Sequence, residues 1–368
     1  VGQTALHFLC MKKIIKDMTV EEKKPRLKKS DFLSTGSTLL NLACSGKHFG
    51  GFVKGKYFFL VGDSISGKTF LSLTCLAEAA INPSFANYRF IYDNGEDGAL
   101  MDLAKFFGKA VAERLEPPAM KDGMPVYSTT IEEFYYHLDD AVKGSRPVIY
   151  IQDSMDVLSS DSEEDKFQKV RAASRKGTPT TGSYGDGKAK KNSAGLRRII
   201  GPLRESGSIL IVLCQTRDSI TSMFPTKTRS GGHALRFYAT LELWSSVKAP
   251  IVRTVRGKKR NIGNECVIRC KKNRLTGKDR TVTLPIYYSF GFDDVGGCVR
   301  YLCDEGGWDK NTKTGMIDAT DFGIKGGEEK IVAYIESNDL EPELKLLVIQ
   351  TWNEIEKACT VKRKIKYE

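Results

Sequence analysis

The segment Gly62-Asp63-Ser64-Ile65-Ser66-Gly67-Lys68-Thr69 has the spacing GxxxxGK[ST] of a phosphate-binding loop. It follows an apolar run, Lys56 to Val61, and opens a stretch over Lys68 to Ala80 with helical patterning. That context matters more than the pattern. Two glycines let backbone N–H groups turn inward around phosphate oxygens, and a helix N-terminus adds partial positive charge. Lys68 supplies a point charge for the terminal phosphates, the Thr69 hydroxyl a magnesium ligand, and Phe70 continues the contact stretch. ATP with Mg2+ is therefore the expected cofactor pair. A second metal-shell group is expected at the end of a neighbouring strand. The run Val148 to Gln152 supplies one, ending in Asp153. Hydrolysis also needs a carboxylate to orient or deprotonate water. Asp93 and Glu96, just past the apolar run Arg89 to Tyr92, are the candidates.

Elements must hold these residues at one edge. Apolar runs at 56–61, 89–92, 148–152 and 209–214 read as buried strands, with helices over 68–80, from 99 to 107, and over 194–204. Further strands are expected at 241–244 and 265–271. Continuous apolar strands separated by helices indicate an α/β fold with a twisted, mainly parallel sheet covered on both faces. Residues 5–18 carry helical spacing, and a polar stretch with Pro25 follows. Residues 177–192, rich in Gly, Ser, Thr and Lys, read as a mobile loop. From about 306 a small mixed segment is expected, with helices over 328–336 and 342–357.

The chain of 368 residues carries a net charge of +12, and the excess is clustered. Residues 166–191 hold eight Lys/Arg against Asp186 alone, and residues 253–280 hold eleven against Glu265 and Asp279. Two dense basic segments point to a polyanion partner. No apolar run is long enough for a membrane span, so no membrane partner is expected. The nine cysteines are scattered without a close CxxC pair, which reads as reduced thiols in a cytoplasmic protein.

Several motifs in order resemble the bacterial RecA recombinase family. They are Ser34 to Ala43 before the phosphate loop, Ser193 to Arg198 running on to Gln215, Met223-Phe224, Gly231 to Ala239, Lys272-Asn273-Arg274, and Phe290-Gly291-Phe292. The resemblance, strongest from about 33 to 308, implies a RecA-like P-loop ATPase core over 32–305. An N-terminal docking helix and linker would occupy 1–31, and a small C-terminal domain 306–368. Two DNA-binding loops would lie at about 159–192 and 217–232. It further implies that Glu96 activates water and that Gln215 senses the terminal phosphate. Lys272 and Arg274 would reach the nucleotide of an adjacent subunit. Arg197, Arg198, Met223, Phe224, Arg229, Gly231, Gly232, His233 and Arg236 would meet DNA. There are departures. The acids Asp93 and Glu96 stand one residue further apart than in the family, His233 replaces Asn, Glu242 replaces Arg, Arg274 replaces Lys, and the chain ends basic.

The expected function is thus an ATP-dependent recombinase. It would form a helical homo-oligomer on single-stranded DNA and pair it with homologous duplex DNA, aided by a single-strand-binding or loader protein. A RecA-fold helicase, and an ATP-binding annealing or loading accessory, are the alternatives.

Overall fold

A computed structural model describes residues 27–98, 100–176, 187–219, 226–229 and 232–363. The helix expected over 5–18 lies outside them. The four apolar runs form β1 (Tyr57–Gly62), β2 (Arg89–Asn94), β4 (Val148–Asp153) and β5 (Ile209–Ser219) of one ten-stranded sheet, which the short β3 (Leu115–Glu116) edges. The rest comprises β6 (Thr226–Arg229), β7 (Leu241–Val255), β8 (Lys258–Asn273), β9 (Arg280–Tyr287) and β10 (Gly291–Phe292). The spatial order is β10-β9-β8-β7-β1-β5-β4-β2-β3, with β6 hairpinned onto the outer part of β5. From β7 to β3 neighbours run parallel, whereas β7 to β10 are antiparallel.

Strand β1 shows why apolar runs without alternation become strands here. All six of its residues are buried. Tyr57, Phe59 and Val61 enter one apolar cluster, while Phe58 and Leu60 enter another on the opposite face. A strand covered on both faces has no polar side to display. Helices α1 (Thr38–Ser45) and α2 (Lys68–Ile81) cover one face. The other is covered by α3 (Ile131–Lys143) and, beyond the exposed α4 (Asp161–Arg175), by α5 (Gly187–Ser206). This is the α/β architecture that the resemblance implies, a large central sheet flanked by helices.

The structure differs from the sequence reading in several places. The strands expected at 241–244 and 265–271 are parts of much longer ones, β7 and β8, which pair as far as Val255 opposite Lys258. The outer half of β8 is polar and basic, and that of β7 is mostly exposed and interrupted by Lys248, Pro250 and Arg253, so neither read as a buried strand. Of the loop expected over 177–192, residues 187–192 already belong to α5. Residues 177–186 lie outside the described ones. α4 buries no side chain, so it carried no periodic apolar signal. It is held by local chemistry instead. Ser160 accepts the Glu163 N–H, acids fill the first turn, and Arg175 sits in the last.

Past α6 (His233–Tyr238), α7 (Asp294–Asp304) leads to a three-stranded sheet of β11 (Asp309–Lys310), β12 (Ile317–Ala319) and β13 (Ile324–Gly326). Then come α8 (Glu328–Ser337) and α9 (Glu341–Ala358). Ile317, Ile331, Leu344, Val348 and Trp352 join the same apolar cluster as α1 and α2, so this segment shares the core of the main sheet. Glu356 of α9 pairs with Arg280 and Lys278 at the β8–β9 turn. The hydrogen bond from Arg280, above all, holds its carboxyl down at about 2. A depressed carboxylate stabilises the fold above its unfolded value, and that contribution is lost as pH falls through its folded one. Lys278 is half exposed, so solvent screening reduces the worth of the cluster to about 1 kcal/mol. Urea melts of Glu356→Gln should show that deficit at pH 7, and the gap to the wild type should close between about pH 4 and 2.

Candidate nucleotide-binding site

The phosphate loop leaves the carboxyl end of β1, where neighbouring connections diverge to β5 on one side and β7 on the other. Space requires the first glycine and turn geometry the second. A Cβ on Gly62 would lie 2.4 Å from the Ser245 carbonyl oxygen, and one on Gly67 would lie 2.4 Å from Ile286 Cδ1, at a φ of +83°. Ser66 donates its hydroxyl to the Asp63 carbonyl at 2.7 Å, and Ser245 donates to the Ser66 carbonyl at 2.6 Å, closing the loop against β7. Ser64 and the exposed Ile65, at a φ of +55°, form the crest of the turn.

Lys68 opens α2 with its side chain buried, donating to the carbonyls of Gly62 at 2.9 Å and Asp63 at 2.8 Å. Burial lowers the ammonium pKa, against the opposing pull of Asp153 and Glu96. Asp153, at the end of β4, accepts the hydroxyls of Thr69 at 2.7 Å and Tyr92 at 2.9 Å on one oxygen. Burial pushes its carboxyl above the ordinary range. Such a carboxylate gains from a hard cation, and with the Thr69 hydroxyl it makes an oxygen pair suited to Mg2+. Glu96 is anchored by its N–H on the Asp153 carbonyl at 3.1 Å, and its Oε1 accepts from the Ser154 hydroxyl and from Gln215 Nε2 at 3.1 Å. Gln215 itself is fixed by its N–H on Asp156 at 2.5 Å.

Lys68, Thr69, Glu96 and Asp153 line one cavity of about 460 Å³, whose other wall is Phe70, Met101, Phe106, Ile286, Tyr287 and Tyr288. One end is charged and the other aromatic, which fits a nucleotide with a phosphate tail and a flat base. The two carboxylates at the end of β2 and just beyond it part company. Asp93 is fully buried and accepts from Ser128 N at 2.9 Å, Ser128 Oγ at 2.5 Å and Tyr150 at 2.7 Å, whereas Glu96 faces the cavity.

Other expected residues lie elsewhere. Lys272 and Arg274 sit near the amino end of the parallel strands. Lys272 is opposite Glu242, which pairs Phe59, and the Arg274 N–H bonds Thr240 beside Tyr57. Tyr57 and Gly62 are about 16 Å apart along β1. Both cations bond carbonyls of α6, Lys272 to Arg236 at 2.5 Å and Phe237 at 2.8 Å, and Arg274 to Phe237 at 2.7 Å. Arg197 and Arg198 are exposed on α5, with Arg198 3.0 Å from Asp139. Arg236 pairs with the fully buried Glu242 at 3.1 Å, and His233 opens α6 after Gly232. Arg229 lies on β6, while Met223, Phe224 and Gly231 lie outside the described residues. Sequence reading missed Tyr92 and Ser154, which bond Asp153 and Glu96, and Asp156, which holds Gln215, because single polar residues carry no spacing signal. It also missed Lys227, which pairs with Asp63.

The family model of the RecA N-terminal domain matches residues 173–293. Protein RecA of Cytophaga hutchinsonii is 25% identical over 326 residues, covering 86% of this chain and 81% of the relative. That of Azospirillum lipoferum is 24% identical over 318 residues, covering 86% and 79%, and that of Allochromatium vinosum 28% over 286 residues, covering 76% and 72%. A match over 86% of the chain necessarily spans the phosphate loop, Glu96 and Asp153. With the sheet, the loop and the ordered motifs, these likenesses support a RecA-family protein of divergent sequence.

Proposed function

We propose that this protein is an ATP-dependent DNA recombinase that assembles on single-stranded DNA and exchanges strands with homologous duplex DNA. One observation carries the proposal. Gln215 touches Glu96 in the cavity and lies on β5, the strand that runs on into the second expected DNA loop. A single strand thus links a hydrolytic carboxylate to a DNA-facing segment.

Mg2+ bound to ATP would neutralise phosphate charge and fix the terminal phosphoryl group. The backbone N–H groups of Ser64 to Thr69 would grip the phosphates, with Lys68 turned from its loop carbonyls toward them. Thr69 and Asp153 would hold the metal. Glu96, its orientation fixed by Ser154 and Gln215, would align a water and take its proton. Lys272 and Arg274 would serve the cavity of the next subunit, since in their own subunit they lie toward the opposite end of the sheet. The exposed Arg197 and Arg198 would bind DNA phosphates, leaving sequence to base pairing. Arg236 would act there only after leaving Glu242.

The test is strand exchange between circular single strands and homologous linear duplex with ATP and Mg2+. Joint molecules and nicked circles are expected with homologous duplex and not with heterologous duplex. DNA-stimulated ATPase activity without joint molecules would assign the protein to a motor or an accessory role.

A further inference from the structure

The phosphate loop carries a negative charge of its own. Asp63 directly follows Gly62, whose rung partner is Gln215, so its carboxylate stands beside the part of the loop nearest Glu96 and Gln215. An anionic ligand entering this loop meets like charge, which is costly in a partly desolvated site. Beside the more distant pull of Lys68, the structure answers that charge chiefly from the β5–β6 pair. Lys227 of β6 forms an ion pair with Asp63, and the Thr216 hydroxyl of β5 bonds its other oxygen. Burial alone would raise the Asp63 carboxyl, but the bonds from Lys227 and Thr216 outweigh it and hold the group below its ordinary value. Lys227 is not a neighbour in sequence. It reaches the phosphate loop only because β6 folds back antiparallel on β5, bringing Arg229 opposite Thr216 and Lys227 opposite Asp218. The pairing of β6 with β5 and the neutralisation of Asp63 are therefore one structural event.

We propose that Lys227 is a positioning residue for nucleotide binding: seated on β6, it neutralises Asp63 so that the loop accepts a triphosphate, and displacement of β6 weakens nucleotide binding through Asp63. The coupling is reciprocal by linkage, so a bound triphosphate favours the seated hairpin. It is separate from the Gln215–Glu96 contact, because it acts on affinity through charge and touches no reacting atom. The proposal rests on the nucleotide-site reading above.

A double-mutant cycle in the full-length protein tests it, with fluorescently labelled MgATP as the probe and no DNA present. Lys227→Ala is expected to weaken binding about tenfold, the size of coupling common between charged neighbours. Lys227→Arg should stay close to the wild type. In an Asp63→Asn background, Lys227→Ala should cost less than about twofold, since no charge is left to neutralise. Circular dichroism confirms that each variant is folded. Equal losses from Lys227→Ala with and without Asp63→Asn, or no loss at all, would overturn the proposal and leave the nucleotide site standing. Wild-type affinity in Lys68→Ala would instead remove the nucleotide-site reading, and the proposal with it.

Discussion

Glu96→Gln is expected to bind ATP and DNA yet hydrolyse ATP at least about a hundredfold more slowly, the usual worth of a positioned general base. The change keeps the shape of the side chain and its bond from Ser154, and removes only the capacity to take a proton. Asp93→Asn is expected to behave differently, because that carboxylate is a buried hub. Three donors converge on it, and burial raises its pKa against the pull of its Ser128 and Tyr150 hydrogen bonds. An amide there turns one acceptor into a donor facing hydroxyls, so stability falls by about 1–3 kcal/mol. Steady-state ATPase assays and thermal melts on both variants separate the roles. A folded Asp93→Asn protein with slow turnover, beside a Glu96→Gln protein of normal turnover, would reverse them.

Much of this site was legible before the fold was known, for reasons particular to each residue. The phosphate loop declares itself through spacing, because one glycine must stand where Ser245 leaves no room for a Cβ and the other where the turn takes a positive φ. Asp153 was legible as the charged end of a largely apolar strand. The choice between Asp93 and Glu96 was not, since both follow the apolar run 89–92 within a few residues. It turns on Ser128 and Tyr150, which arrive from distant parts of the chain. Residues 217–219 and 226–229 were taken for loop, because β5 and β6 continue past the core as a polar hairpin with no apolar alternation. The Asp63–Lys227 pair went unseen for the same reason, as only that hairpin brings its members together. Glu242 was visible as a departure from the family pattern. In the structure it is buried and pairs with Arg236.

The second large effect concerns completion of the site between subunits. Lys68→Ala and the double variant Lys272→Ala/Arg274→Ala are each expected to lose DNA-stimulated ATP hydrolysis. The first lacks the cradle charge, and the second lacks the cations proposed to serve a neighbour. The first keeps its own Lys272 and Arg274, while the second keeps Lys68, Thr69 and Asp153. In a head-to-tail assembly one face of a subunit meets a different face of the next, so a mixed polymer contains interfaces joining an intact cradle to intact cations. Random mixing at equal amounts would make about a quarter of all interfaces competent. The decisive measurement is DNA-stimulated ATPase activity across mixing ratios, with co-assembly of both variants on DNA shown first. The account predicts recovery that peaks near equal amounts, at about a quarter of the wild-type rate. No recovery at any ratio, despite co-assembly, would contradict it.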